Sequence, residues 1–139
     1  MIPNNINICV VKLQKALLIS GGKVKSDLIL RKVIKDLTTS KKSSGDLIRR
    51  ALENVSPYFT VKSRKRGKKV TQIPVPIFGI DKRFAFSSRS IVKNSKKHKN
   101  ILFSGKVVSE LLDASLDQGF SKKKLQELNK IILMNRSSM

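Results

Sequence analysis

Along most of this chain apolar residues recur at intervals of three and four, and in one stretch they alternate instead. Ile6, Val10, Leu13, Leu17 and Leu18 predict a first helix over Ile6 to Ile19, ended by Gly21 and Gly22. Val24, Leu28, Val33, Ile34 and Leu37 mark a second, with Arg31, Lys32 and Lys35 on another side. A polar loop, TTSKKSS from Thr38 to Ser44, leads into a third helix near Ser44 or Gly45. There Ser44 suits the cap and Asp46 the positive helix end. Leu47, Ala51, Leu52 and Val55 give that helix its apolar face, and Pro57 stops it. Asp81 opens a fourth, with Phe84, Ala85, Ser88, Ile91, Val92 and Ser95 near one face. Asn100 is placed to cap a fifth, carrying Val107, Val108, Leu111, Leu112 and Ser115 and ended by Gly119. Ser121 is placed to cap the sixth, with Leu125, Leu128, Ile131 and Ile132, before a loose tail from Arg136 to Met139.

The alternation lies between the third and fourth helices. Phe59 and Val61 alternate with Thr60 and Lys62, and Ile73, Val75 and Ile77 alternate with Gln72, Pro74 and Pro76. Period two on both sides of Gly67 predicts a β-hairpin over 58–77, with Gly67 at a positive-φ position in a tight connection from Arg66 to Lys69. Pro74 and Pro76 share one parity, so both missing N–H groups fall on the outward edge of a two-stranded ribbon. The expected fold is mainly α: one bundle-like domain over 1–139, of about six helices, with a protruding two-stranded ribbon between the third and fourth.

Charge gives the ribbon a role. Lys62, Arg64, Lys65, Arg66, Lys68 and Lys69 crowd its tip, and no acidic residue occurs from Tyr58 to Ile77. Cations on so narrow a support repel one another unless an anion neutralises them. Arg64 and Arg66 can fork onto phosphates and the lysines act as point charges. The whole chain repeats the imbalance, with 30 Lys plus Arg against 9 Asp plus Glu, a net charge of +21. Positive charge in every segment points to nucleic acid, not to a membrane surface. No apolar run approaches the roughly 20 residues that cross a bilayer. Further candidate contacts are Arg83, Arg89, Lys96 and Lys97, and Lys122, Lys123 and Lys124 in the first turn of the sixth helix, where the macrodipole disfavours cations. Phe84 and Phe86 can stack on bases or enter the core.

Catalysis finds no support. One cysteine, Cys9, and one histidine, His98, build neither a disulfide framework nor a zinc site, and the carboxylates are scattered, Glu110 and Asp113 being the closest pair. Cys9 reads as a small buried hydrophobe and His98 as a surface or phosphate contact. No enzyme, metal, cofactor, membrane or small-molecule substrate is expected.

The segment ALENV followed by Pro57, then VKSR, a basic Gly-containing tip and QIPVPI, resembles the pattern ALENVKP, VKSRR, a Gly turn and YQVPVEV of the universal small-subunit ribosomal protein seven family. ELLDASLDQG followed by SKKK is similar to that family's ELSDAA, a Gly and a lysine-rich helix start. Arg89 to Lys97 is similar to its RWIVEAARK, with Ser90 where Trp is usual. The family's long basic N-terminal arm has no counterpart in the five residues before Ile6.

The resemblance implies a structural constituent of the small ribosomal subunit. It would bind small-subunit ribosomal RNA and organise the head, or 3′ major domain. Its ribbon would lie near the exit-site transfer RNA and the messenger exit path, beside proteins of the head and platform, protein eleven among them. Lys62, Ser63, Arg64, Gln72 and Pro74 match the family's ribbon motif, whereas Lys68 and Lys69 fall in its variable tip. With 22 Lys to 8 Arg and many Ile, Asn and Ser, residue usage fits an A- and T-rich genome. A mitochondrial ribosome is the first expectation, and a plastid or the cytoplasm of an A- and T-rich bacterium are the alternatives. The rival reading is an architectural DNA-binding protein with a basic ribbon arm, although such arms carry an apolar or Pro wedge near the tip and this tip is purely basic.

Overall fold

Leu47, Ile48, Ala51, Leu52 and Val55 form a buried stripe along one helix, and the rest of the body is arranged around it. The computed structural model describes residues 4–18, 21–38, 43–99 and 102–136, with the side chains of 4–6 left aside. Among these residues the order is α1 (Asn4–Ala16), α2 (Lys23–Thr38), α3 (Ser44–Val55), β1 (Phe59–Arg66), β2 (Lys69–Pro76), α4 (Ile80–Ser95), α5 (Phe103–Ser115) and α6 (Phe120–Met134). The expected architecture of six helices and one ribbon, in that order, is the observed one. The Ile6 and Ile19 side chains, loop residues 39–42, the proposed cap Asn100 and the tail after Arg136 lie outside the described residues.

Helix α3 touches all five other helices. Its stripe meets Cys9, Leu13 and Leu17 at α1, Leu30, Val33 and Leu37 of α2, Phe84, Ile91 and Val92 of α4, and Val107, Leu111 and Ala114 of α5 in one apolar cluster. Burial of that surface is the main favourable term in folding. Polar links fix the geometry: Ser26 Oγ on α2 donates to Gln14 O on α1 at 2.9 Å, and Asn54 Nδ2 on α3 donates to Ala114 O at 2.9 Å, satisfying a carbonyl at the end of α5. Cys9 is fully buried; burial pushes its thiol from 9.0 up to about 11, with Glu53 adding to the rise and Arg49 opposing it.

Several local expectations are corrected. On α2, Val24 and Leu28 are 74% and 58% exposed, and the buried face is Ser26, Leu30, Val33 and Leu37. The small Ser26 stands where the helix crosses α1, so a serine replaces the expected apolar residue. Ser43, not Ser44, occupies the α3 cap, and its side chain makes no capping bond.

Helix α5 does not run to Gly119 but stops at Ser115. Asp117 takes a left-handed φ of 62°, with Asp117 N–H donating to Ala114 O at 3.0 Å and Gln118 N–H to Asp113 O at 2.9 Å. That pair of bonds is a Schellman motif, here built on Asp instead of Gly. Gly119, at φ 97°, instead caps α6, where an added Cβ would lie 2.9 Å from Asp113 Cβ.

Ser121 does not cap α6. It lies inside the helix, wholly buried, its Oγ without a partner, while its backbone N–H donates to Glu110 Oε1 at 2.9 Å. A glutamate of α5 thus serves the N-terminus of α6.

Candidate nucleic-acid interface

The ribbon pairs Phe59 with Pro76 through to Arg66 with Lys69, leaving Gly67 and Lys68 as a two-residue connection. Gly67 has φ 59° and Lys68 is not among the positive-φ residues, the signs of a type II′ hairpin turn with Gly at its first central position. Ile77 N–H donates to Tyr58 O at 2.9 Å. Alternation from that bond puts Pro76 and Pro74 at non-hydrogen-bonded pairs, so their missing donors point outward as the parity argument required. Strand β1 runs beside α6 at its root, and residues 62–72 are exposed throughout. At about 3.3 Å per residue the bare part extends roughly 15 Å from the body.

Pairing sorts the ribbon side chains into two faces. One carries Thr60, Lys62, Arg64, Arg66, Lys69, Thr71, Ile73 and Val75; the other carries Phe59, Val61, Ser63, Lys65, Val70, Gln72 and Pro74. Of the candidate contacts, Lys62, Arg64, Arg66 and Lys69 therefore form one row, Lys68 sits at the turn, and Ser63, Lys65 and Gln72 face the other way. None of them makes an ion pair among the described residues, and all nine carboxylates of the chain lie outside the ribbon.

The row continues onto the body. Lys82, Phe86, Arg89 and Lys93 recur at four, three and four along α4 and are all exposed. At the ribbon root, Thr60, Lys62, Val75, Ile77, Phe78, Lys82, Ala85, Phe86 and Arg89 enclose a cleft of about 270 Å³ with no carboxylate on its walls. Phe84 is core, whereas Phe86 is 40% exposed. Phe78, 76% exposed, and Lys82 were not among the candidates. Phe78 directly follows the alternating Ile77, and nothing in the local sequence pattern marked it as exposed.

The other candidates are placed differently. Arg83 is engaged with the body: Nε donates to Pro57 O at 3.3 Å, Nη2 to Ser56 Oγ at 2.8 Å, and the guanidinium lies 3.9 Å over the Tyr58 ring. It clamps the ribbon root to α4 and leaves the set of free cations. Lys122 is likewise tied, 2.8 Å from Asp117 and donating to Asn54 O at 3.3 Å. Lys124 pairs with Glu127 at 3.2 Å on the exposed surface, a contact worth little in water. Lys123 has no carboxylate in range among the described residues and, like Lys97, approaches the Phe120 ring. Lys96, Lys97 and Arg89 are exposed.

Of the three lysines at the α6 N-terminus, Lys122 and Lys124 are thus paired with Asp117 and Glu127, and the buried Glu110 carboxylate meets the helix end itself through the Ser121 N–H. His98 belongs to the same arrangement and not to the surface: Nε2 lies 2.6 Å from Glu110 Oε2, with Phe120 edge-on at 5.2 Å. His98, Glu110 and Asp113 bring three ligand-type atoms within 4.8 Å, but both Glu110 oxygens already serve His98 and Ser121.

The sequence profile of the family described as ribosomal protein S7p/S5e matches residues 3–136. The chain belongs to that family. Its relatives include the small ribosomal subunit protein uS7 of Syntrophus aciditrophicus (strain SB), 32% identical over 137 residues, covering 97% of this chain and 86% of that protein. The uS7 of Xylella fastidiosa (strain M12) is 30% identical over 118 residues, covering 85% and 76%. The uS7 of Carsonella ruddii is 40% identical over 91 residues, covering 66% of this chain. The match spans 58% of the Carsonella protein's length. The relatives named are small ribosomal subunit proteins.

Proposed function

We propose that this chain is a structural constituent of the small ribosomal subunit and that it binds ribosomal RNA through the ribbon and the exposed stripe of α4. The observation that supports this most is the uncompensated ribbon. Six cations between Lys62 and Lys69 stand on a roughly 15 Å projection without one carboxylate. A helical body holds the ribbon, the cations neutralise phosphates, and released counterions drive association. Free ribbon cations are Lys62, Arg64, Lys65, Arg66, Lys68 and Lys69, with Ser63 and Gln72 as neutral partners. Arg89, Lys96, Lys97 and Lys123 extend the surface. Discrimination rests on RNA shape and unpaired segments, because the A-form major groove is too narrow for side chains.

The finer placement follows from the family resemblance: the head of the subunit, the ribbon near exit-site transfer RNA and the messenger exit path, with protein eleven as a neighbour. For the compartment, residue usage fits the mitochondrion or plastid as well as an A- and T-rich bacterium, and the relatives named above are bacterial. The bacterial cytoplasm satisfies both observations and is the reading adopted. Sequencing the DNA that flanks the gene tests it: a bacterial chromosome is expected, and an organellar gene order would return the mitochondrion to first place.

The decisive experiment is sucrose-gradient sedimentation of a native lysate with detection of this chain in every fraction. Co-migration with small subunits and monosomes through moderate salt is expected. Migration as free protein or with chromatin would overturn the assignment and favour the DNA-architectural rival.

A further inference from the structure

We infer that the cleft at the ribbon root is a seat for one unpaired RNA nucleotide, its base stacked on Phe86 and Phe78 and its flanking phosphates held by Lys62, Lys82 and Arg89. The inference rests on the RNA-binding reading above and adds to it a site, a ligand class and two aromatic residues.

Two aromatic side chains stand in water where the chain had the means to bury them. Phe78 is 76% exposed and Phe86 40% exposed, while Phe84, two residues away on the same helix, is buried. Both exposed rings wall one cleft of about 270 Å³. That is below the roughly 300–1,000 Å³ of pockets that enclose drug-sized molecules, and suits a single ring system. Three cations share its walls and no carboxylate does. Lys62 also begins the row that runs up the ribbon through Arg64 and Arg66, so a polyanion entering here meets further positive charge along its path.

Each class of occupant leaves a different remainder. Duplex RNA would use the cations, but its bases are stacked inward and the phenylalanines would stay wet. An apolar protein segment would cover the phenylalanines and leave three cations desolvated without a counter-charge. An unpaired nucleotide satisfies both halves, because every base has a π-face for an aromatic ring and carries its phosphates alongside.

The test uses the full chain and two probes, fluorescein-labelled octa-adenylate and a short blunt-ended RNA duplex, titrated by fluorescence anisotropy over a range of salt. Replacing Phe78 and Phe86 with Leu should weaken octa-adenylate binding roughly 5- to 150-fold, the range for losing one stacked base, while duplex affinity and both salt slopes stay as in the wild type. Replacing Lys82 and Arg89 with Gln should instead lower the salt slope for octa-adenylate.

The chain has no tryptophan, so a Phe86→Trp variant supplies a readout even where the leucine variants fold poorly. Its fluorescence should be quenched by octa-adenylate and not by the duplex. Unchanged octa-adenylate binding in the leucine variants overturns the proposal, as does equal quenching by both probes. Quenching by an acidic leucine-rich peptide alone would also overturn it, assigning the cleft to a protein. A wild type that binds neither RNA brings down the RNA reading as well, whereas failure confined to the stacking variants leaves that reading standing.

Discussion

Glu110 is wholly buried, and its two oxygens serve groups on two other segments, His98 Nε2 after α4 and Ser121 N–H in the first turn of α6. From the sequence it looked like one of a scattered set of carboxylates, and Ser121 looked like the cap. What decided otherwise was a contact between residues eleven and twelve positions apart that no local pattern encodes. Glu110→Gln keeps an acceptor for Ser121 but removes the charge facing His98. The expected cost is about 1–3 kcal/mol, read as a lower midpoint in urea denaturation. An unchanged midpoint would mean that the charge contributes nothing.

Ser90, where Trp is usual in the family, borders a cavity of about 140 Å³ walled by Val55, Pro57, Phe86, Lys124, Leu125 and Leu128. That space is open where a larger side chain would pack. Ser90→Trp should raise stability by about 1 kcal/mol, as cavity-filling changes do, and a melting temperature that falls instead would show that the gap cannot take the ring.

The Cys9 thiol keeps its proton to about pH 11 in the fold against 9.0 ordinarily. Its contribution is therefore full below pH 9 and lost as pH rises from 9 to 11. Thiol labelling at pH 8 should follow unfolding, and fast labelling of the native protein would contradict the burial.

At the level of elements, the helices and ribbon were legible because their periods of 3.6 and 2 differ and because Gly67, Pro57 and the prolines of β2 act locally. Errors gathered where tertiary contact chose among local options. Helix α2 turned Val24 and Leu28 outward because Ser26 is what fits beside Gln14 of α1. Helix α5 ended at Ser115 because its last carbonyls found donors at Asp117 and Gln118 before Gly119 was reached. For the interface, composition revealed the ribbon cations but not which body cations were free: Arg83 and Lys122 are held by Ser56, Pro57, Asp117 and Asn54. Changing Arg64 and Arg66 to Ala should weaken RNA binding and lower the salt slope by about one to two, with circular dichroism and melting of the body unaltered. Wild-type affinity in this double variant would remove the ribbon from the interface.

For the whole molecule, +21 on 139 residues makes the isolated chain self-repelling. Contact with roughly 6 to 10 phosphates would lower RNA affinity about 10³- to 10⁵-fold between 50 and 200 mM salt, measurable by filter binding. A flat dependence would point to recognition without phosphate neutralisation. RNA should also raise the melting temperature by mass action, more at low salt than at high.

A two-stranded sheet standing in solvent has two open edges, each a template on which another strand could add. Here the root of the β2 edge lacks donors at Pro74 and Pro76, the root of the β1 edge lies beside α6, and the tip is crowded with like charge. Free chains are thereby kept from joining edge to edge into fibres, so the ribbon can stand, exposed and unpaired, in a crowded solution.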